Sequence, residues 1–355
     1  METKPLCIGD RCARLPIVQG GMGVGISLSG LAGAVAAAGG IGTISGVEIG
    51  FNWPGYRRNR RNANREAMLG HLAEARRIAP EGVIGVNIMV ALTDYDHVVA
   101  AAIEGGADII FSGAGLPLSL PALAEGSDVK LVPIISSAKA ASLLVRNWRQ
   151  KHGRTPDAFV LEGPLAGGHL GFSTEQIDQA HGEYALEKLL AEVLAELDRI
   201  DASVPVIAGG GLYTGADAAR LLAMGASGVQ LGTRFVTTKE CDAPAAFKQA
   251  YIDAGEDDIV IIQSPVGMPG RALSSEFIQS VQMGEKNPTR CMANCIKSCG
   301  RQAAPYCIAQ ALMNAAHGNL RDGFTFVGGK VYMTDRIVAV DELMATLQEE
   351  IAHFH

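Results

Sequence analysis

One histidine in this chain occupies a position suited to proton transfer. His169 lies in the segment EGPLAGGHLG, where glycines on both sides indicate a loop. The other seven histidines fall in predicted helices, linkers or the C-terminal tail. An imidazole titrates close to neutral pH, so it can serve as a general acid or a general base. We therefore predict that His169 is the catalytic residue; the alternative is a loop histidine hydrogen-bonded only to backbone.

Two glycine-rich turns, which follow neighbouring predicted strands, indicate an anion site. The segment VPVIAGGGLYTGADAARLLAMGASGVQLGTRF is typical of strand, turn, helix, strand and second turn. Backbone without Cβ atoms can approach a phosphate closely, and the start of the intervening helix adds a favourable dipole. Tight strand packing is the alternative explanation of these glycines. The predicted phosphate-binding residues are Gly210, Gly211, Gly232 and Thr233, and Gly209 is a further candidate cofactor contact.

Further candidates follow or lie within other predicted strands. Glycines after the first strand would let a planar ligand lie against the backbone, although a turn that needs positive φ explains one or two of them. An amide within the third strand and a lysine after the fifth could contact a ligand; backbone hydrogen bonding and a surface position are the respective alternatives. These candidates are Gln19, Gly20, Gly21, Met22, Asn87, Ser136 and Lys139.

Eight strand-and-helix units in sequence position these residues. The strand interiors are almost continuously Val, Ile and Ala, as expected of parallel strands buried on both faces. Repeated βα units predict an α/β fold that closes as a (β/α)8 TIM barrel, with its binding groups at the C-terminal ends of the strands. The first unit has no GxGxxG turn, which disfavours a dinucleotide-binding sheet. The predicted strands are Ile17–Gln19, Gly42–Ser45, Val83–Met89, Asp108–Ser112, Leu131–Ile135, Ala158–Leu161, Val204–Ala208 and Gly228–Leu231.

The pattern changes after the eighth unit. We predict a barrel over 1–257, a cap over 258–317 that encloses the barrel mouth, and a strand pair and helix over 318–355 that pack back on the barrel. Within the cap, Asp258–Gln263 is expected to be a strand and Ser264–Arg271 a loop. Cys291–Ala316 is expected to be partly helical, and Phe324–Met333 to form the strand pair.

Composition limits the partners and the compartment. The net charge of −7 gives no reason to expect nucleic acid or an anionic membrane. No apolar run reaches the length of a membrane span, and the N-terminus lacks a signal-peptide pattern, so the cytoplasm is the expected location. Reduced cysteines are expected there rather than a disulfide framework. The basic run from Arg57 to Arg65 is interpreted as a solvated loop or as a binding site for an anionic substrate or a partner chain.

Taken together, the motifs QGGMG, GVN, EGPLAGGHLG, VIAGGG and GVQLGTRF resemble those of the nitronate monooxygenase family, formerly called 2-nitropropane dioxygenases. These FMN-dependent TIM-barrel oxidoreductases include the flavin-dependent enoyl-acyl-carrier-protein reductases. The resemblance covers about Pro16 to Phe235 and implies FMN as the cofactor, with its phosphate on the last two glycine turns. It implies His169 as the acid or base. It further implies that the isoalloxazine ring lies over the glycines after the first strand, with Asn87 and Gln230 near the flavin. Glu162 and Gly168, which follow the sixth strand, are further candidate cofactor contacts.

The shared motifs leave the reaction open. The resemblance favours oxidation of alkyl nitronates with O2 to carbonyl compounds and nitrite. An enoyl or quinone reductase that uses NADH or NADPH is the first alternative, and a non-redox phosphosugar-type barrel enzyme is an alternative of another class. In each case the expected partner is a small-molecule substrate, and a homodimer is a further expectation.

A cysteine series in the cap departs from the simpler family members. Spacings of four would place three of its thiols on one helical face, and thiolates bind zinc or iron–sulfur clusters. The close CxxC pair is absent. We expect no metal, and the thiols are interpreted as packed in the cap; redox-active thiols and a metal or cluster are the alternatives. The cysteines concerned are Cys291, Cys295, Cys299 and Cys307.

Overall fold

Eight parallel strands close into a barrel, which confirms the predicted (β/α)8 architecture. The computed structural model describes residues 3–285, 291, 293–300 and 304–354. The strands are β1 Leu6–Ile8, β2 Arg11–Ala13, β3 Ile17–Gln19, β4 Ile41–Ser45, β5 Val83–Met89, β6 Ile109–Gly113, β7 Lys130–Ile135, β8 Phe159–Glu162, β9 Gly168–His169, β10 Val206–Gly209, β11 Gly228–Leu231, β12 Ile259–Gln263 and β13 Pro269–Leu273. Around the barrel the order is β10-β11-β3-β4-β5-β6-β7-β8, and β8 pairs with β10 to close it.

Helices cover the outside of the barrel, and further helices follow in the C-terminal part. They are α1 Ser29–Ala37, α2 Arg60–Ile78, α3 Tyr95–Glu104, α4 Leu120–Leu123, α5 Ala138–His152, α6 Thr174–Ile177, α7 Leu186–Arg199, α8 Gly215–Ala223, α9 Thr233–Val236, α10 Ala245–Ile252, α11 Glu276–Gln282, α12 Ile308–Ala316 and α13 Val340–Ala352. Two 3₁₀ helices span Glu256–Asp258 and Val331–Met333.

The interior of the barrel is a packed core, not a channel. Val18, Phe111, Val160 and Ile207 belong to one buried apolar cluster. A Cβ on Gly85 would come within 2.5 Å of the Phe111 ring, so the small residue makes room for the large one. The core therefore fixes the strand ends rigidly at the mouth.

A short hairpin, β1–β2, packs its inward-facing residues on this core. Leu6 and Ile8 are buried in the same cluster as the barrel residues, while the alternate residue, Cys7, faces outward. Cys7 and Cys12 are directly paired across the hairpin and form a disulfide. The expectation that all seven cysteines are reduced is therefore wrong for this pair, because strand pairing brings two thiols together that are five residues apart in sequence.

The cap contains a three-stranded sheet in the order β12-β13-β9. The predicted loop 264–271 is wrong in its second half, since Pro269 begins β13, where it donates no ladder hydrogen bond. In that sheet β13 pairs with β12 on one side and with Gly168–His169 on the other. The cap is thus joined through β13 to the loop that carries His169.

One further expectation for the C-terminal part is wrong, whereas the expectation that Cys291–Ala316 is partly helical is confirmed. Phe324–Met333 contains a single β-bridge, between Phe326 and Ala272, and the 3₁₀ helix Val331–Met333 instead of a strand pair. In the part of Cys291–Ala316 that is described, only α12 is helical; 292 and 301–303 lie outside the described residues. Residues 293–300 instead contact the loop after β5, where the amide of Thr93 donates to the carbonyl of Cys295 at 2.9 Å. In residues 293–300, backbone hydrogen bonds to the loop after β5 take the place of helical hydrogen bonds.

The basic run lies at the start of α2 and is largely neutralised. Arg60 pairs with the buried carboxylates of Glu48 and Asp94, and Arg61 also pairs with Asp94. Arg65 pairs with Glu104 on α3. These ion pairs attach α2 to its neighbours, and α2 begins at Arg60, within the basic run.

Across residues 3–285, 291, 293–300 and 304–354, no helix combines the length and hydropathy that crossing a membrane requires.

Candidate active site

A cavity of about 240 Å³ opens at the C-terminal ends of the barrel strands. Its walls come from loops of the barrel and from the cap, so it lies where barrel enzymes bind their ligands. From the predicted set, it is lined by Gly20, Gly21, Met22, Asn87, Glu162, Gly168, His169, Gly210, Gly211, Gln230, Gly232 and Thr233.

His169 is held between the barrel and the cap. Its Nε2 lies 2.7 Å from the hydroxyl oxygen of Ser264, which follows β12. The edge of its ring packs against Phe326 at a centroid distance of 5.0 Å. Burial lowers the pKa of His169 from 6.5 to about 4. The imidazole is therefore neutral at pH 7 and available to accept a proton.

A buried guanidinium fixes the loop that precedes His169. Arg271 on β13 donates from Nη1 to the carbonyl oxygens of Pro164 and Ala166 at 2.6 and 2.8 Å. Desolvation lowers the pKa of Arg271 to about 10, which still leaves it charged at neutral pH. No local pattern signals this role, because the sequence pattern predicts a loop that ends at Arg271.

The two glycine turns lie next to each other at the cavity wall. Gly210 and Gly211 have φ of +96° and +91°, a region that glycine adopts readily. Gly232 precedes the short helix α9, and a Cβ placed on it would have no atom closer than 3.5 Å. Open space therefore lies beside Gly232, and the Gly210–Gly211 turn lines the same cavity.

The start of α8 is not free to bind that ligand, contrary to expectation. The Asp217 carboxylate accepts from the amides of Tyr213 and Thr214 at 2.9 and 3.1 Å. The amide of Gly215 donates to Glu350 on α13. Side chains of the chain itself thus occupy the amides that a phosphate would have used.

A third glycine turn completes this end of the cavity, and sequence reasoning missed it. Gly328 donates its amide to the hydroxyl oxygen of Thr233 at 3.1 Å, and Gly329 donates to the carbonyl of Leu165 at 2.9 Å. Lys330 follows and also lines the cavity. The pair Gly328-Gly329 was a visible signal, but it was interpreted as the bend of a strand pair.

The opposite part of the cavity presents polar side chains that are not engaged elsewhere. Among the described residues, the Glu162 carboxylate and the side-chain amides of Asn87 and Gln230 have no hydrogen-bond partner. Burial raises the pKa of Glu162 to about 7. Gly21 packs so closely on Asn87 that a Cβ there would lie 2.3 Å from the Asn87 Cβ. A flat polar ligand over the β3 glycines would satisfy these groups.

Four predicted contact residues do not line the cavity. The side chain of Gln19 is buried between strands, where its Oε1 accepts from the Thr43 amide at 2.9 Å. Ser136 donates to the carbonyl of Gly171 at 3.1 Å. Lys139 is exposed on the first turn of α5, and Gly209 lies within β10 below the turn. Each of these residues follows or ends a strand, but the sequence does not show whether it faces the mouth of the barrel.

The cysteine series does not converge on one point. The described residues contain no group of three or more His, Cys, Asp or Glu side chains placed to hold a metal. Cys291 is exposed, Cys295 is buried, and burial raises the pKa of Cys295 to about 12. The helical face that would have aligned these thiols is replaced by the backbone pairing described above.

Apolar residues form a third part of the cavity wall, which sequence reasoning also missed. Phe247 and Tyr251 come from α10, Leu312 from α12, and Phe324 and Phe326 from the segment after it. The hydroxyl of Tyr251 donates to the carbonyl of Phe326 at 2.5 Å. Helix α10, helix α12 and the segment after α12 therefore add an aromatic and aliphatic wall to the cavity that holds His169.

Comparisons with known proteins agree with this arrangement. A family model described as nitronate monooxygenase matches residues 59–350. The chain is 28% identical over 267 residues to a Rhodococcus jostii protein named (3aS,4S,5R,7aS)-5-hydroxy-7a-methyl-1-oxo-octahydro-1H-indene-4-carboxyl-CoA dehydrogenase, covering 75% of this chain and 65% of that one. It is 31% identical over 176 residues to a probable nitronate monooxygenase of Staphylococcus aureus, covering 49% and 46%. The chain thus spans less than two thirds of either relative.

The solved structure of FabK from Thermotoga maritima superimposes with a TM-score of 0.73 at 26% identity, and the match covers 96% of this chain and 93% of FabK. The shared barrel, the cavity at its mouth and a family match over well over half the chain lead to one assignment. This protein belongs to the nitronate monooxygenase family and is an enzyme of the oxidoreductase type.

Proposed function

We propose that this protein is an FMN-dependent nitronate monooxygenase, which converts alkyl nitronates with O2 to carbonyl compounds and nitrite. The observation that carries the proposal is a neutral, half-buried His169 in a cavity that also holds adjoining glycine turns and unpartnered polar side chains. The proposal concerns the whole protein's activity, for which the family match supplies the reaction class.

The residues present fit FMN. The turns at Gly210–Gly211 and Gly232–Thr233 line one end of the cavity, where a phosphate would lie, and Gly20 and Gly21 after β3 line the part that a ring would occupy. Asn87 and Gln230 would hydrogen-bond to polar edges of that ring. Bound there, FMN would supply the redox chemistry that amino-acid side chains lack.

His169 would handle the proton. A neutral nitroalkane must lose its α-proton to become a nitronate, and the electron pair of the broken C–H bond then resides on the nitro group. The proton would be taken by the ring nitrogen that Ser264 does not hold, which is Nδ1 in this structure. Ser264 would orient the ring, and partial burial keeps His169 neutral, so that this nitrogen is free to accept the proton.

A second candidate is an NAD(P)H-dependent reductase of enoyl thioesters or quinones. The apolar wall of Phe247, Leu312, Phe324 and Phe326 favours it, because a small nitronate leaves much of this surface uncovered. In that reaction His169 would donate rather than accept a proton. Membership of an oxidoreductase family leaves the non-redox phosphosugar alternative without support.

An anaerobic titration separates the two candidates. The purified flavin-loaded protein is mixed with propyl-2-nitronate, NADH or NADPH, and the visible flavin absorbance is followed. A monooxygenase is expected to be bleached by the nitronate and not by either nicotinamide on the same timescale, and to release nitrite in air. Rapid bleaching by NADH or NADPH would overturn the first candidate in favour of the second. Failure to bind FMN at all would overturn both.

A further inference from the structure

Lys330 brings a positively charged side chain to the cavity wall. Within the described part of the chain, it is the only lysine or arginine among the residues that line the cavity. It directly follows the turn Gly328-Gly329, which adjoins the glycine turns after β10 and β11. A ligand that carries a doubly charged group at this end would therefore meet one fixed positive charge.

The backbone around Lys330 is tied to both neighbouring loops. Gly328 donates to Thr233 beside the β11 turn, and Gly329 donates to Leu165 in the loop that carries His169. A Cβ on Gly328 would lie 2.7 Å from the Thr233 hydroxyl oxygen, so only glycine allows this approach. The position of Lys330 is thus set by the same residues that form the predicted phosphate site.

The ammonium group of Lys330 is held by a hydrogen bond that leaves part of its donor capacity free. Lys330 Nζ donates to Asp217 Oδ2 at 2.9 Å. An ammonium has three N–H donors, and the described residues engage one of them. Asp217 is in turn fixed by the amides of Tyr213 and Thr214. Two donors of Lys330 remain for a ligand in the cavity.

Other sources of positive charge at this end are already engaged. The amides at the start of α8 are bound by Asp217 and Glu350. Arg234 donates to the carbonyl of Tyr213 at 3.0 Å and lies over the Tyr213 ring, and it does not line the cavity. A phosphate monoester carries a charge of about −1.5 to −2 at pH 7, so backbone amides alone would leave it poorly neutralised.

We propose that Lys330 binds the phosphate of the bound flavin and makes the cavity select FMN over riboflavin. The inference rests on the FMN binding put forward under the proposed function. Lysine binds phosphate as a point charge, so the contact depends on charge more than on the shape of the donor. Asp217 holds the ammonium in place before the phosphate arrives.

The test measures binding, not turnover. Apoprotein is titrated with FMN and with riboflavin, and the quenching of flavin fluorescence gives both Kd values. Lys330→Gln is expected to weaken FMN binding on the order of 10- to 100-fold, the loss of a hydrogen bond to a charged group, while riboflavin binding stays within about twofold. Lys330→Arg is expected to keep the preference for FMN. Lys297→Gln removes the same charge outside the cavity and is the matched control.

The double variant Lys330→Gln/Asp217→Asn tests whether Lys330→Gln loses FMN affinity only because the Asp217 carboxylate is left without its partner. If it regains wild-type FMN affinity, Lys330 merely shields a carboxylate and the proposal is overturned. An unchanged FMN-to-riboflavin ratio in Lys330→Gln also overturns it and leaves FMN binding, and hence the proposed function, intact. Equal weakening of both flavins points to a general loss of structure and counts against it too. A wild-type protein that binds neither flavin overturns the proposed function as well.

Discussion

The imidazole of His169 and the hydroxyl of Ser264 are 2.7 Å apart, although 95 residues separate them in the chain. His169 belongs to a barrel loop and Ser264 to the cap. The contact therefore makes the orientation of the predicted base depend on correct docking of the cap. Ser264 also accepts from the Val266 amide at 3.3 Å, which fixes the hydroxyl.

Removing this hydroxyl should slow turnover without removing the base. For Ser264→Ala we expect kcat to fall about tenfold, the worth of one orienting hydrogen bond. Ser298→Ala is the matched control, because Ser298 donates to the Val266 carbonyl in the same loop and does not touch His169. Steady-state rates with a nitronate would be compared across pH. Equal losses in both variants would assign Ser264 a merely structural role.

The burial of His169 should make the protein sensitive to acid. Its folded-state pKa of about 4 is below the unfolded value of 6.5, so the folded state binds fewer protons between these limits. The free energy of unfolding therefore falls as the pH drops from about 6.5 to 4, by about 2 kcal/mol from this residue when cavity water is allowed for. Urea unfolding at pH 7 and pH 4.5 would measure it. In His169→Gln that difference should shrink, and an undiminished difference would contradict a buried neutral histidine.

Glu162 should change the free energy of unfolding with pH in the opposite direction to His169. Its folded-state pKa of about 7 exceeds the model value of 4.5, so its protonation stabilises the fold below about pH 4.5 and this contribution is lost as the pH rises through 7. At pH 8 Glu162→Gln is expected to raise the free energy of unfolding of the apoprotein by about 1–2 kcal/mol, since the carboxylate is partly accessible to water. Glu125→Gln, at an exposed position, is the control. A stabilising effect equal at pH 4 and pH 8 would exclude this explanation.

The glycine turn after β10 should tolerate no side chain. In Gly211→Ala the new residue would have to adopt a φ of +91°, and its Cβ would lie 2.8 Å from the Leu165 Cβ. Gly126→Ala is matched for backbone, with a φ of +76° and no atom within 4 Å. We expect about 1–2 kcal/mol of destabilisation for Gly126→Ala from backbone strain alone. Gly211→Ala should lose more stability and also FMN affinity, as measured by urea unfolding and flavin titration. Similar results for the two variants would show that the turn is not tightly packed.

The hairpin disulfide should stabilise the fold modestly. Cys7 and Cys12 close a short loop, for which the chain-entropy estimate is about 2 kcal/mol. A Cys7→Ser/Cys12→Ser variant should be less stable by that amount when unfolded without reductant. The difference should vanish in excess dithiothreitol, which serves as the control. A difference that persists under reduction would come from packing and not from the bond.

Much of the barrel could be predicted from local pattern. Runs such as Val83–Met89 and Gly228–Leu231 match the observed strands because an apolar stretch bounded by turn residues is sufficient to indicate a buried parallel strand. Prediction failed where local signals conflicted with long-range pairing. Pro269 and Gly270 suggested a loop, but they form the start of the central strand of the cap sheet.

The sequence by itself determined the fold class, the two glycine turns proposed as a phosphate site, and His169 as the proton-transfer candidate. These depend on properties of short segments: strand hydrophobicity, glycine at positive φ and an imidazole beside glycines. Only the tertiary structure decided what surrounds them. Ser264, Arg271 and Lys330 join the site through contacts between segments 95 to 113 residues apart. Such contacts depend on how the cap packs against the barrel, and no local pattern encodes them.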